Sequence, residues 1–448
     1  MGVFKDKKNV FGAYDVRGIY PTQVNEWLVQ QIANAFPSVI KTKKVLVGYD
    51  SRNSSKNLVN ATIEGLKLAG VDVYDIGMCT SPKFYFSSAF YNFKGGIMIT
   101  ASHNPKNQNG MKFVTSKAFP LKIKQLQKLE RKVKENLKIK KKKGNYIKLE
   151  TDEEYEQFLK SNLKINSKLK IVIDASSGLG GKEIENVLKK TDLIKLNFKP
   201  DGNFPAHTPN PIKKETLKEL IKTVKSKKAD LGVSFDGDAD RAVFIDETGT
   251  PIKGDYIIAL LIDELANKKD KIIADLRLSS ILEDIAKNKK AHIIRSRVGH
   301  TFLSRIMRKK KAILGGELSG HYYFKENYYA DSALLAVLHV LNILSKNKKP
   351  ISLLIKKYKK TFLSDEINFE VIDANKILKK FKQLKGKKSY LDGISLMGED
   401  YKLNIRKSNT QNLVRLRCEA KSMDVLNTII NKAKKTIGVK TNKITKHF

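Results

Sequence analysis

Cysteine is almost absent from this 448-residue chain, which carries only Cys79 and Cys418. Two thiols so far apart build no disulfide framework and have no metal-type spacing. That usage fits a reducing cytosol, so a cytoplasmic location is expected. Long apolar runs are missing too, and the first residues, Met1-Gly-Val-Phe-Lys-Asp-Lys-Lys, are already charged. Neither a membrane span nor a signal peptide is expected, and no membrane partner. Acidic residues are in short supply: 46 Asp and Glu stand against 86 Lys and Arg, a formal net charge of +40. Such a balance raises nucleic-acid binding through phosphate neutralisation. The lysines are scattered through every segment, however, with no stripe of arginine and aromatics beside them. The expectation is a lysine-rich surface whose field attracts anionic substrates, with weak, salt-sensitive association with DNA or RNA and no specific nucleic-acid partner.

What is present is core-forming material. Hydrophobic residues make up 41% of the chain, and its length is too great for one core, so about two to four domains are expected. Residues 44–50 read as a strand. Residues 54–69 follow as an amphipathic helix with apolar Leu58, Ala61, Leu66 and Ala69, and 71–76 as the next strand. Strands alternating with helices at this spacing imply a parallel or mixed α/β sheet. The pattern restarts near residue 169 with a strand, the glycine turn Gly178-Leu-Gly180-Gly181 and a helix. That turn lacks the dinucleotide spacing and the P-loop Lys-Ser/Thr pair, so it is read as tight strand–helix packing. A helix from Lys214 and a strand at 231–235 come next. A third unit after Gly249 holds strands at 271–275 and 292–296 and a long apolar helix at 331–344. The last unit mixes a helix at 374–384, strands near 393–397, 401–405 and 413–419, and a helix starting near Asp424. The lysine run at 138–143 reads as a solvated connection.

Three stretches carry chemistry. In Gly95-Gly-Ile-Met-Ile-Thr-Ala-Ser102-His-Asn-Pro105 a β-branched run ends abruptly at an Asn-Pro turn, which places Ser102 in a loop at a sheet's mouth with its hydroxyl presented. His103 is disfavoured as a base for Ser102, because neighbours in an extended chain point to opposite sides. Asp236-Gly-Asp238-Ala-Asp240-Arg241 sets three carboxylates two residues apart after a strand, hard oxygen ligands suited to Mg²⁺. A calcium EF-hand is rejected: Arg241 holds the sixth position, where the turn requires glycine, and the flanks read as strands. Three like charges this close repel one another unless a cation sits among them. The third stretch is Gly315-Gly-Glu317-Leu-Ser319-Gly-His321.

Together these three stretches resemble, in order and across nearly the whole chain, the α-D-phosphohexomutases (the phosphomannomutase/phosphoglucomutase family). The resemblance implies three related α/β mixed-sheet domains followed by a smaller α+β C-terminal domain around a central cleft. The expected bounds are 1–147, 148–249, 250–362 and 363–448. It implies that Ser102 carries a phosphoryl group and that Mg²⁺ is held by this phosphoserine with Asp236, Asp238 and Asp240. Arg241 steadies the same oxygens. Lys112, in Asn109-Gly-Met-Lys112, is the proton-handling candidate, its pKa lowered by neighbouring cations. Arg17, in Tyr14-Asp15-Val-Arg17-Gly18, and His300, in Arg297-Val-Gly-His300, take supporting acid/base or phosphate-orienting roles. Glu317 and Ser319 read the sugar, with His321 and Arg277 as further substrate contacts. Arg406, Ser408, Asn409, Thr410 and Arg415 resemble the loop for the substrate's distal phosphate. Here Gln411 and Asn412 stand where the family usually has another residue and a proline, so a less rigid loop is expected. The implied reaction interconverts hexose 6-phosphates and hexose 1-phosphates, mannose and also glucose, through a hexose 1,6-bisphosphate, in a monomer or homodimer. The alternatives are a phosphoglucosamine mutase and, from another class, a basic nucleic-acid-binding protein using the aspartates as a nuclease metal site. The latter has no use for the Glu317 and Arg406 loops.

Overall fold

The computed structural model describes residues 10–135, 139–408, 413–438 and 445–447. The chain divides into two units, one of Met1–Pro211, Thr216–Pro251 and His321–Lys348, the other of Ile212–Glu215, Ile252–Gly320 and Lys349–Phe448. The apolar run before Ser102 forms the strand Gly95–Ile99, with all five residues buried. It lies between the parallel strand Lys44–Tyr49 and the antiparallel strand Gln108–Thr115. Asp72–Met78 and Tyr146–Lys148 extend this sheet in parallel on one side, and Val16–Ile19 closes the other edge against Gln108–Thr115. The central strands are near-continuous apolar runs because both faces are covered. The helices Glu26–Ile40 and Ser55–Leu68 pack against each other over one face.

A second sheet of the same unit orders Ala242–Ile245, Leu231–Phe235, Lys170–Asp174 and Asp192–Leu196. Leu231–Phe235 pairs antiparallel with Ala242–Ile245, so the aspartates sit in a turn between strands and not between EF-hand helices. The glycine turn is a packing device: a Cβ on Gly180 would come within 2.8 Å of Phe235, and one on Gly178 within 2.5 Å of the Gly237 carbonyl oxygen. The helix expected from Lys214 begins as a 3-10 turn, Lys214–Leu217, and becomes α at Lys218–Lys227. The helix expected over 331–344 is Ala333–Asn347. Asp331 ends the short strand Ala330–Asp331, and extended Ser332 caps the helix by accepting from the Leu335 amide.

In the other unit Lys271–Asp275 lies parallel to His292–Ser296 and to Leu314–Gly316. Its last sheet orders Lys387–Ser389, Ile394–Met397, Tyr401–Lys407, Leu413–Ala420, Glu366–Glu370 and Thr445–His447. The helices Ala374–Gln383 and Met423–Ile437 close a core of Phe369, Phe381, Ile405, Leu416 and Leu426. Residues 139–143 of the lysine run are exposed, while 136–138 lie outside the described residues. No described helix is long and apolar enough to cross a membrane.

The pairing of Glu26–Ile40 with Ser55–Leu68 depends on Gly65, where a Cβ would lie 2.3 Å from the Gln30 carbonyl oxygen. That atom is helix backbone and cannot step aside alone. Gly65→Ala should therefore destabilise the first unit by about 1–3 kcal/mol despite alanine's better helix propensity. Urea unfolding followed by circular dichroism checks it; an unchanged or raised midpoint would mean that the helices separate freely.

Candidate active site

The serine loop begins where Gly95–Ile99 stops. Thr100 Oγ1 accepts the Ser102 amide at 2.9 Å, and Ser102 turns into the left-handed region with φ 52°. Four carbonyls of the loop then point at one side chain. Arg52 Nη2 donates to the Ser102 and Asn104 carbonyls at 2.7 Å each, and Nη1 to those of Pro105 and Gln108 at 2.7 and 2.9 Å. Asp50 holds Arg52 Nε at 3.1 Å, and Phe204 lies under the guanidinium at 5.1 Å. On the other flank Arg17 Nη1 donates to the Ala101 carbonyl at 3.0 Å, while its Nε is held by Asp15 at 2.8 Å.

Ser102 itself is fully buried, which corrects the expectation of a presented hydroxyl. Its Oγ donates to Asp236 Oδ2 at 2.8 Å. His103 Nδ1 lies 3.3 Å from the same Oγ. The expectation that His103 faces away fails, because side-chain alternation holds only for extended backbone and Ser102 is not extended. Burial, with Arg241 and Arg17 nearby, pushes the His103 pKa well below its ordinary value.

Asp236 folds its own turn by accepting the Asp240 and Arg241 amides at Oδ1, 3.1 and 3.2 Å away. Asp238 Oδ2 accepts from Ser81 Oγ at 2.6 Å, Thr100 Oγ1 at 3.2 Å and Lys112 Nζ at 2.6 Å, and Asp240 Oδ2 accepts from Lys112 Nζ at 2.6 Å. The three carboxylates offer oxygens within 4.8 Å of one another. Asp238 Oδ1 and Asp240 Oδ1 are buried without a hydrogen-bond partner. Orphaned, converging, hard oxygens of this kind fit a small divalent cation. Burial and the two neighbouring aspartates push the Asp236 carboxyl well above its ordinary range, the cost expected of three carboxylates without a cation among them.

Burial works against the Lys112 ammonium, but Asp238 and Asp240 outweigh it and hold its pKa well above the ordinary value. The expected lowering by cations is corrected here: two carboxylates, not arginines, are its nearest charges. Arg241 Nε donates to His321 Nε2 at 2.9 Å, and His321 Nδ1 lies 2.7 Å from Asp331. The resemblance groups His321 with the sugar loop; in the structure its Nε2 accepts from Arg241 and so orients that guanidinium. Ser81, Arg52 and Asp331 have no local signal that singles them out in the sequence.

In the second unit, Glu317 Oε1 accepts the Gly299 amide at 3.0 Å, at the start of helix His300–Lys310, and Oε2 accepts from Ser319 Oγ at 3.2 Å. His300, at that start, is half-buried. Arg277 is 7% exposed. Its Nε donates to Asp275 at 2.8 and 3.0 Å, and its Nη1 to Glu366 at 3.0 Å. Its donors are committed to two carboxylates, so Arg277 ties Asp275 to Glu366. Arg406 and Arg415 also reach Glu366. Ser408 is buried, its amide donating to the Leu413 carbonyl at 2.9 Å. Asn409 and Thr410 lie outside the described residues, as do Gln411 and Asn412.

Four family models match in sequence order. They are described as phosphoglucomutase/phosphomannomutase alpha/beta/alpha domains I, II and III, over residues 8–140, 153–249 and 253–362, and the C-terminal domain, over 366–435. A phosphomannomutase of Methanocaldococcus jannaschii is 37% identical over 96% of this chain and 97% of its own. One of Vibrio cholerae is 36% identical over 92% and 94%. A crystal structure of a phosphoglucomutase/phosphomannomutase family protein from Burkholderia thailandensis superposes with a TM-score of 0.89 at 29% identity, covering 97% of this chain and 98% of that one. With three α/β domains and a distinct C-terminal domain matched end to end, this chain belongs to the phosphoglucomutase/phosphomannomutase family of enzymes.

Proposed function

We propose that the chain interconverts hexose 6-phosphates and hexose 1-phosphates, mannose first and glucose as well, by way of a phosphoryl group on Ser102 and a hexose 1,6-bisphosphate. The observation that carries the reading is Ser102 Oγ, 2.8 Å from Asp236, among three buried aspartates and Lys112. Phosphoryl transfer needs positioning and charge stabilisation more than covalent machinery, and this cluster supplies both. Asp236, Asp238 and Asp240, with the serine phosphate, would hold Mg²⁺, which would offset the phosphate charge and polarise the phosphorus centre.

The chain's own residues do the rest. Arg52 fixes the serine loop through its carbonyls, so the serine oxygen keeps one position as the phosphoryl group leaves and returns. The Arg241 guanidinium, turned by His321, donates to the phosphoryl oxygens. The Lys112 ammonium, held between Asp238 and Asp240, donates to the same oxygens and protonates the serine oxygen as its bond to phosphorus breaks. The sugar hydroxyl forms the new bond to phosphorus as the bond to the serine oxygen breaks, and its proton passes to the Lys112 amine, restoring the ammonium. After the bisphosphate has turned end for end, its other phosphate returns to Ser102 by the reverse of this exchange: Lys112 protonates the departing sugar oxygen, and the serine proton restores the ammonium. Glu317 and Ser319 read sugar hydroxyls; Arg406 and Arg415 hold the distal phosphate.

Ser102 should carry phosphate in active enzyme. Intact mass and peptide mapping should place it there, and Ser102→Ala should reduce turnover to background; full activity in that variant would end the phosphoserine mechanism. Asp238→Asn should weaken metal binding and lower kcat by about ten- to a hundredfold, with partial rescue by excess Mg²⁺. Activity that survives EDTA would remove the metal assignment. Glu317 and Ser319 read hydroxyls that mannose and glucose share, and among the described residues we assign none to carbon 2, where the two differ. The preference for mannose should be modest, roughly five- to thirtyfold in kcat/KM. Glucosamine phosphate should be poorer, because its ammonium adds a cation to a site already carrying Arg17, Lys112 and Arg241. Steady-state kinetics on the three 1-phosphates decides it, and glucosamine 1-phosphate as the best substrate would contradict it.

A further inference from the structure

Three guanidinium groups converge on one carboxylate in the second unit. Glu366 is 6% exposed. Its Oε1 accepts from Arg277 Nη1 at 3.0 Å and Arg406 Nη2 at 3.4 Å, and its Oε2 from Arg415 Nη1 at 3.3 Å. Strand register brings them together. Arg406 lies directly across from Arg415 in the antiparallel pair Tyr401–Lys407 and Leu413–Ala420, and Arg415 faces Asn368, two residues along the strand from Glu366. Like charges directly opposite on a sheet repel, and these two stay together because an anion sits against both. Each keeps a buried donor in hand: the Nε of Arg406 and the Nε of Arg415 have no hydrogen-bond partner. Arg277 extends the tie. It is bound to Asp275, whose Oδ2 also accepts the amide of Leu318, the residue after Glu317, at 3.2 Å.

We infer that Glu366 is a positioning residue, which gathers Arg406 and Arg415 into a preformed receptor for a phosphate dianion and links that receptor through Arg277 and Asp275 to the Glu317 loop. The inference rests on the proposed reading of Arg406 and Arg415 as the distal-phosphate contacts. Glu366 does not touch the reacting atoms. Its work is done before substrate arrives: with it, two facing cations are already convergent, and the dianion spends little of its binding on assembling them. Without its charge they splay, and the site must be built at the substrate's expense. Because the distal phosphate is held alike in ground and transition states, the loss falls on KM.

The test uses the full-length enzyme with Glu366→Gln, which keeps the shape and removes the charge, and Glu366→Asp, which keeps the charge on a shorter arm. Arg415→Ala serves as the control. Three quantities are read: kcat and KM for mannose 1-phosphate, competitive inhibition by inorganic phosphate, and thermal melting. Glu366→Gln should raise KM and the phosphate inhibition constant together, each by about tenfold, with kcat within about threefold of the parent; Glu366→Asp should fall between. Should Glu366→Gln fail to fold, Glu366→Asp is judged by the same joint rise. A melting temperature that drops while KM and phosphate inhibition stay put overturns the inference, and so does tighter phosphate binding, which would make Glu366 a competitor of the substrate. If Arg415→Ala raises both constants and the Glu366 variants do not, Glu366 alone is misassigned. If Arg415→Ala moves neither, the distal-phosphate reading itself falls, and this inference with it.

Discussion

The Ser102 loop is held in place from behind. Four carbonyl oxygens of the loop around Ser102 converge on the buried guanidinium of Arg52, which Asp50 orients and Phe204 underlies. A loop this irregular has no ladder to satisfy its backbone, and an unpaired buried carbonyl costs about 1–3 kcal/mol. One planar cation with five donors answers all four at once, and lysine could not reproduce its fork. The left-handed turn at Ser102 persists because its surroundings over-determine it. Everything that acts on the hydroxyl presupposes this grip.

Charge balance is the second constraint on the same cluster. Asp236, Asp238 and Asp240 are buried together, and Lys112, Arg241 and Arg17 surround them. Each cation is itself constrained: Lys112 by two aspartates and Ser81, Arg241 by His321, Arg17 by Asp15. Carboxylates fixed this tightly without enough hydrogen bonds favour the arrival of a cation. Cations fixed this tightly favour the arrival of a phosphate. The second unit repeats the principle with the signs exchanged, where Glu366 holds arginines whose donors are not all used.

Strands carried by unbroken β-branched runs were legible from the chain. Leu231–Phe235, Ala242–Ile245, Lys271–Asp275 and His292–Ser296 lie where apolar periodicity puts them. The aspartate triplet announced a cation site because three carboxylates in five residues have few other stable arrangements. What escaped was whatever depends on distance across the fold. Arg52 and Ser81 meet the site through contacts 50 and 157 residues away in sequence, and nothing local marks them. The tie that Arg277 makes is of the same kind, since one of its two carboxylates lies 89 residues on. Ser102 and His103 were misjudged for a local reason instead: alternation was carried one residue beyond the point where the backbone leaves the extended region. Asp331 was counted into a helix that its neighbour Ser332 caps.

The complete burial of Ser102 bears on what can reach its hydroxyl. Asp236 covers the hydroxyl, and the Gly237 Cα packs so near the Ser102 carbonyl that an added Cβ would lie 2.9 Å from it. In this arrangement the hydroxyl has no face open to solvent, so a reactant reaches it only where the covering Asp236–Gly237 turn gives way.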